Sequence, residues 1–261
     1  MNNEILISAV NIRKKYRALT AVEDVSIDVY PGKIYGVAGL NGAGKSTLLA
    51  VLAGVTRPDG GAVWYRGGTR AVHTPRKMKK SPGSLRIGYV PQDVALFPEL
   101  SVYDNLKFWA LASDSSHGQF LASDSSHGLK RRILSSAGSV GLSGELRRPV
   151  RVLSGGMKQR ANIAAALVTG PDVLIMDEPT AGLDVKNRRD IINTIGSLVR
   201  TSGAGLAVIC TSHQPGELEM VSDRLLLLDR GRVVFDGAPS DVFHGKYANY
   251  ANMDDILYSL A

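Results

Sequence analysis

Gly39-Leu40-Asn41-Gly42-Ala43-Gly44-Lys45-Ser46 decides the fold. The spacing is G-x-x-x-x-G-K-[ST], preceded by the apolar run Ile34 to Ala38 and followed by a helical pattern from Ser46 to Ala53 that Gly54 ends. Strand, glycine-rich loop and helix in that order make a phosphate cradle. The glycines let backbone N–H groups crowd around phosphate oxygens, and the helix adds its positive N-terminal end. Lys45 reaches toward the β and γ phosphates, and the Ser46 hydroxyl is a ligand for Mg²⁺. An accidental glycine turn would need neither the strand nor the helix.

Outward from the loop, short β-branched runs bounded by glycine recur at Ile87 to Val90, Val173 to Met176, Leu206 to Thr211, and Leu225 to Leu228 followed by Val233 to Phe235. Such runs read as buried strands. Helical patterns lie between them, Gly155 to Val168 ended by Gly170-Pro171 and Arg188 to Arg200 ended near Gly203. Strands alternating with helices predict an α/β fold with a mainly parallel sheet covered on both faces. Ile5 to Arg13, Val25 to Val29 and Ala62 to Tyr65 predict antiparallel strands beside that core, and Glu99 to Arg151 predicts an inserted helical subdomain. Within the insert, LASDSSHG stands at Leu111 to Gly118 and again at Leu121 to Gly128. Two copies are too few for a solenoid. Their Ser, Asp and Gly content predicts an exposed, mobile surface loop in which Asp114, His117, Asp124 and His127 are solvated and hold no metal. Tyr247 to Ala261 carries a weak helical pattern.

The 261 residues suffice for a buried core, and 44% apolar with 21% charged is the composition of an ordinary globular chain. No stretch reaches the roughly 18 apolar residues of a membrane-spanning helix. Glu4 interrupts what would be a signal peptide. The one cysteine, Cys210, has no partner for a disulfide or a metal cluster, which fits a reducing cytoplasm. Lys and Arg number 31 against 24 Asp and Glu, and the net charge of +7 suits an anionic partner without choosing among nucleotide, nucleic acid and lipid headgroups.

Val173 to Met176 runs straight into Asp177-Glu178, at the carboxyl end of a strand, where ligands collect in open α/β sheets. Beside a phosphate loop, Asp177 would hold Mg²⁺ and Glu178 would orient and deprotonate an attacking water. Taken alone, the pair is also an ordinary strand terminus. His213 follows Thr211-Ser212 at the end of another strand, placed to reach a γ phosphate or to serve as a structural hydrogen-bonder. A second anion-binding helix end, Leu153-Ser154-Gly155-Gly156-Met157-Lys158-Gln159-Arg160, opens an apolar stripe of Met157, Ala161, Ala164, Ala165 and Val168. One nucleotide needs one such loop in cis, so the second calls for an explanation.

With these motifs in this order, roughly residues 4 to 240 resemble the ATP-binding cassette family, in which the second motif is a signature that grips the γ phosphate of a nucleotide held by another subunit. The resemblance implies a P-loop NTPase core, ATP and Mg²⁺ as cofactors, and a role for each matching position. Tyr16 matches the aromatic that stacks on adenine, although packing on a loop near Arg17 would also account for it. Gly39, Leu40, Asn41, Gly42, Ala43, Gly44, Lys45, Ser46 and Thr47 match the phosphate loop. Gln92, just past the strand Ile87 to Val90, matches the glutamine that contacts Mg²⁺ and the attacking water. Ser154, Gly155, Gly156, Met157 and Gln159 match the signature, Asp177 and Glu178 the Mg²⁺ ligand and the general base, Ala181 to Asp184 the intersubunit loop, and His213 the switch histidine. Leu40 replaces the usual proline and Met157 the commonest glutamine; neither change removes a phosphate ligand.

The same resemblance implies an ATP-hydrolysing subunit that powers translocation through a separate transmembrane permease, with a second cassette joining on ATP binding. Its place would be the cytoplasmic face of the membrane, with no nucleic acid partner. A short helix of the permease would dock near Gln92 to Trp109. Gly155-Gly156-Met157 and Asp104-Asn105-Leu106-Lys107-Phe108 look like the exporter type. The alternative is a soluble cassette of iron–sulfur cluster assembly or of a nucleic-acid or ribosome-associated machine, for which Arg70, Arg76, Lys77, Lys79, Lys80 and Arg86 would supply a basic face. A charge run is usually just a solvated face, and a single cassette without heptads fits neither the ribosomal nor the chromosomal type. The expected division is a cassette over 4–240, its helical subdomain over about 99–170, and a short C-terminal extension over 241–261.

Overall fold

The computed structural model describes residues 4–66, 69–71, 85–116, 126–201, 205–244, 247–250 and 252–259. In chain order the elements are β1 (Ile7–Tyr16), β2 (Leu19–Val29), β3 (Ile34–Gly39), α1 (Lys45–Leu52), β4 (Gly60–Tyr65), β5 (Thr69–Ala71), β6 (Ile87–Val90), α2 (Val102–Ser116), α3 (Ser126–Ser139), α4 (Gly155–Leu167), β7 (Val173–Met176), α5 (Val185–Thr201), β8 (Ala207–Ser212), α6 (Pro215–Glu219), β9 (Arg224–Asp229), β10 (Arg232–Gly237) and α7 (Met253–Ser259).

One sheet runs β10-β9-β3-β8-β7-β6. It is parallel from β9 to β6, and β10 returns antiparallel to β9. Every residue of β3, β7 and β8 is buried. Burial on both faces is why these strands read as unbroken apolar runs without alternation. Their side chains still take opposite faces in turn. Tyr35, Val37, Val173, Ile175, Ala207 and Ile209 join a core with α1 and the N-terminal strands. Ala38, Leu174, Met176, Val208 and Cys210 join another with α2, α4 and α5.

The second sheet, β2-β1-β4-β5, is antiparallel, as expected. Its first two strands are longer than the sequence predicts. Pairing continues through register shifts near Asn11 and Asp24, which take φ of 50° and 59°, and Asn11 Nδ2 donates to Asp24 Oδ1 at 2.7 Å. Bulges break the period of two and so hide the full length of a strand. Tyr16 is therefore the last residue of β1, not a loop residue.

Between β6 and β7 the described elements are helical, apart from an isolated bridge between Ser101 and Pro149. The duplicated segment departs from expectation at Leu111 to Ser116, which form the last turns of α2. Asp114 is no solvated loop residue. It accepts from Nη1 and Nη2 of Arg132 on α3 at 2.9 and 3.2 Å, and Arg132 Nη2 also donates to the Val168 carbonyl at 2.9 Å. A half-buried bidentate pair holds a helix end that composition alone reads as loop. His127 is exposed in the first turn of α3. The expected loop from His117 to Leu121 and on to Asp124, and Arg76, Lys77, Lys79 and Lys80, lie outside the described residues. Among the described residues no helix is long and apolar enough to cross a membrane.

Candidate functional site

Four neighbouring parallel strands release their chains at one rim: β3 into the glycine loop, β6 toward Gln92, β7 into Asp177 and β8 into His213. That rim is where open α/β sheets bind ligands. Gly42 and Gly44 have φ of 82° and 103°, conformations closed to ordinary side chains. A Cβ at Gly44 would stand 2.2 Å from the Ala21 carbonyl, and one at Gly39 would stand 2.5 Å from that of Leu228. No side chain caps α1 at Gly44, which leaves its first-turn amides for an anion.

Lys45 is only 5% exposed. Its ammonium donates to the carbonyls of Gly39 at 2.8 Å and Leu40 at 3.2 Å and lies 3.4 Å from Glu178 Oε1. The other Glu178 oxygen is 3.0 Å from His213 Nδ1. Three residues from three distant segments thus form one chain of contacts.

Glu178 takes φ of 46°, in the left-handed region. That conformation costs an L-residue about 1–2 kcal/mol. The strain is held by Thr211, whose hydroxyl accepts from the Glu178 N–H at 2.8 Å and donates to Asp177 Oδ1 at 2.8 Å. Backbone outliers held in this way gather at working sites. The sequence reading passes over Thr211; its only signal is a hydroxyl two residues before His213 on a strand beside β7.

Asp177 is buried, and its N–H donates to the Val90 carbonyl at 2.9 Å. Ser46 and Gln92 are exposed. Hydroxyl, amide and single carboxylate are hard oxygen donors without nitrogen or sulfur, a set suited to Mg²⁺, which keeps several waters and takes phosphate oxygens. Among the described residues no three of His, Cys, Asp and Glu gather into a metal cage, which a Mg²⁺–nucleotide site does not require. Tyr16 is 48% exposed, and Lys14 Nζ stands 5.3 Å from its ring centroid. Its ring is therefore on the surface and not part of the core.

The signature and Asp184 form a second group. Ser154 caps α4, its Oγ accepting from the Met157 N–H at 3.3 Å. Asp184 caps α5, accepting from the N–H of Asn187 at 2.9 Å and from its Nδ2 at 2.6 Å. These hydrogen bonds hold the Asp184 carboxyl below its usual pKa. The two helix starts are packed together, for a Cβ at Gly156 would stand 2.3 Å from Asn187 Oδ1. Gln159 is turned away. Two positions beyond Met157 a helix has rotated about 200°, so Gln159 is 6% exposed and its Nε2 is buried without a partner among the described residues.

A phosphate cradle facing two acids on a nearby parallel strand defines the class of P-loop nucleoside triphosphatases. The model of the ABC transporter family matches residues 22–181. The chain is 35% identical over 237 residues to the linearmycin resistance ATP-binding protein LnrL of Bacillus subtilis (strain 168), covering 91% of this chain and 70% of the relative. It is 34% identical over 237 residues to a Nod factor export ATP-binding protein I of Ralstonia nicotianae, covering 91% and 68%. The solved cbiO1 of Clostridium perfringens, described as part of the ABC transporter complex cbiONQ, superposes with a TM-score of 0.77 at 26% identity over 94% of this chain and 93% of that one. A dimeric ATP-binding cassette bound to ADP and phosphate shares the fold, with a TM-score of 0.75 at 23% identity over 90% and 99%. The chain belongs to the ABC transporter family, as the ATP-binding subunit that hydrolyses ATP.

Proposed function

We propose that this subunit drives export through a separate transmembrane permease, which holds it at the cytoplasmic face of the membrane, and that two cassettes close on ATP. The reading takes residues 4–240 as the cassette, about 99–170 as its helical subdomain and 241–261 as an extension. The observation that carries its chemistry is the chain Lys45, Glu178 and His213, linked at 3.4 and 3.0 Å beside the phosphate loop.

Backbone amides from Gly39 to Thr47 and the Lys45 ammonium bind the phosphates, and the Tyr16 ring stacks on adenine. Bound Mg²⁺, held by Ser46, Asp177 and Gln92, would offset phosphate charge. Glu178 accepts the proton of the attacking water, while His213 steadies the carboxylate and faces the γ phosphate. Lys45 stabilises negative charge on the phosphoryl oxygens as the bond to the leaving group breaks. Ser154, Gly155, Gly156, Met157 and Asp184, at the packed starts of α4 and α5, act on the nucleotide of the second cassette. Gln159 supports that helix end from its buried side.

The relatives named for resistance and Nod factor export support the direction of transport. A groove of about 490 Å³, lined by Tyr89, Pro91, Ala95, Trp109, Ala112 and Asn162 among others, supports docking of a permease helix. The Trp109 indole N–H is buried without an acceptor among the described residues, a donor suited to a docked backbone carbonyl.

Glu178→Gln tests the reading, because the amide cannot accept a proton yet nearly preserves shape. Hydrolysis should slow by roughly 10²- to 10⁴-fold. Size-exclusion chromatography should show a dimer with ATP and a monomer with ADP. A variant that hydrolyses at the wild-type rate and stays monomeric would overturn both the base assignment and the shared site.

A further inference from the structure

The geometry points to Glu217 as a positioning residue for hydrolysis, one carboxylate that ties the turn after Glu178 to the segment before His213 and both to α5. This rests on the roles proposed above for Glu178 and His213. Glu217 lies on α6, and its side chain is 12% exposed. Its Oε2 accepts from Thr180 Oγ1 at 2.7 Å and from Ser212 Oγ at 3.1 Å. Its Oε1 stands 3.8 Å from Arg188 Nη1, and that nitrogen also donates to Gln214 Oε1. Ser212 Oγ closes the loop by accepting from the Gln214 N–H at 2.9 Å. Arg188 is in the first turn of α5, its N–H donating to the Asp184 carbonyl at 2.9 Å.

A carboxylate this far from water needs partners, and here each partner comes from a different part of the site. Thr180 follows Glu178 by two residues and Ser212 immediately precedes His213. The 3.0 Å approach of His213 to Glu178 depends on how those two segments sit relative to one another, and Glu217 is bonded to both. Through Arg188 the same carboxylate reaches the helix that Asp184 starts, so a shift of that helix bears on the pair that handles the water. A misplacement of about 1 Å at a reacting group can cost 10²-fold in rate.

The test is steady-state ATP hydrolysis across a MgATP titration, with equilibrium ATP binding and thermal unfolding on the same preparations. Glu217→Ala should lower kcat roughly 10- to 100-fold while KM and the ATP Kd stay within about twofold. Glu217→Gln, whose amide oxygen still accepts both hydroxyls, should restore most of the rate. Thr180→Val is nearly isosteric and removes one donor, and should lower kcat several-fold. Adding Glu217→Ala to His213→Ala should cost less than the two single effects multiplied, since one of the two groups being positioned is gone. Full additivity in that pair, or a fall of Tm, ATP affinity and kcat together, would show a structural carboxylate only and overturn the inference. Should Glu217→Ala fail to fold, Thr180→Val decides, and a wild-type kcat there overturns it. Glu178→Gln in the same series separates the two readings. Inactive Glu178→Gln beside fully active Glu217→Ala sinks only the role of Glu217, whereas active Glu178→Gln sinks the site itself.

Discussion

Lys45 divides one ammonium among two backbone carbonyls and Glu178. Phosphate oxygens bound as proposed would accept from the same ammonium N–H groups, in the bound nucleotide and in the transition state alike. Lys45→Ala should therefore weaken ATP binding and lower turnover together. A charge-assisted hydrogen bond is worth about 1.5–3 kcal/mol, roughly a 10- to 100-fold effect on each. Binding titration and turnover measured on one preparation check this, and unchanged turnover would remove the loop from the mechanism. The glycine loop between β3 and α1 was legible in the sequence because its spacing is local to one strand–turn–helix. Thr211, Thr180, Glu217 and Arg188 were not, since their roles come from which distant loop each faces, and no local period encodes that.

At the scale of elements, the starts of α4 and α5 behave as one unit, with Asn187 wedged against Gly156 and bonded to Asp184. Gly155 is the neighbour with room: a Cβ there meets only Leu183 Cδ2, at an ordinary 3.5 Å. Gly155→Val should leave the fold and ATP binding to the monomer intact and abolish hydrolysis, because the added side chain stands where the second cassette's γ phosphate would approach. Unfolding midpoint, nucleotide affinity and turnover test it, and lost monomer binding would place this helix end at the wrong nucleotide. The core strands β3, β7 and β8 were legible as unbroken apolar runs because both faces are buried. The ends of β1 and β2 were not, because bulges at Asn11 and Asp24 interrupt the alternation that marks a strand. The last turns of α2 were misread as loop since their cause, the Asp114–Arg132 pair, bridges two helices.

On the scale of the whole molecule, the groove beside β6 and α2 lies against the helical region, while hydrolysis is assigned to the rim of the sheet. The two activities should separate by mutation. Ala112 lines the groove. Ala112→Trp should keep basal ATP hydrolysis within about twofold, since a groove residue makes no contact in the transition state, yet shift the protein from the membrane fraction to the supernatant of cell lysates. Wild-type sedimentation in the variant would remove the groove as the permease contact.

The strand order has a consequence in time. β3, which delivers the phosphate loop, is hydrogen-bonded to β8 on one side and β9 on the other, so a ribosome making this chain releases the loop long before either neighbour exists. β3 cannot be paired on both sides until residue 229 has been added. Translation thus separates the birth of the nucleotide cradle from its completion, and a truncated nascent chain carries the loop sequence without the rim that would let it burn ATP.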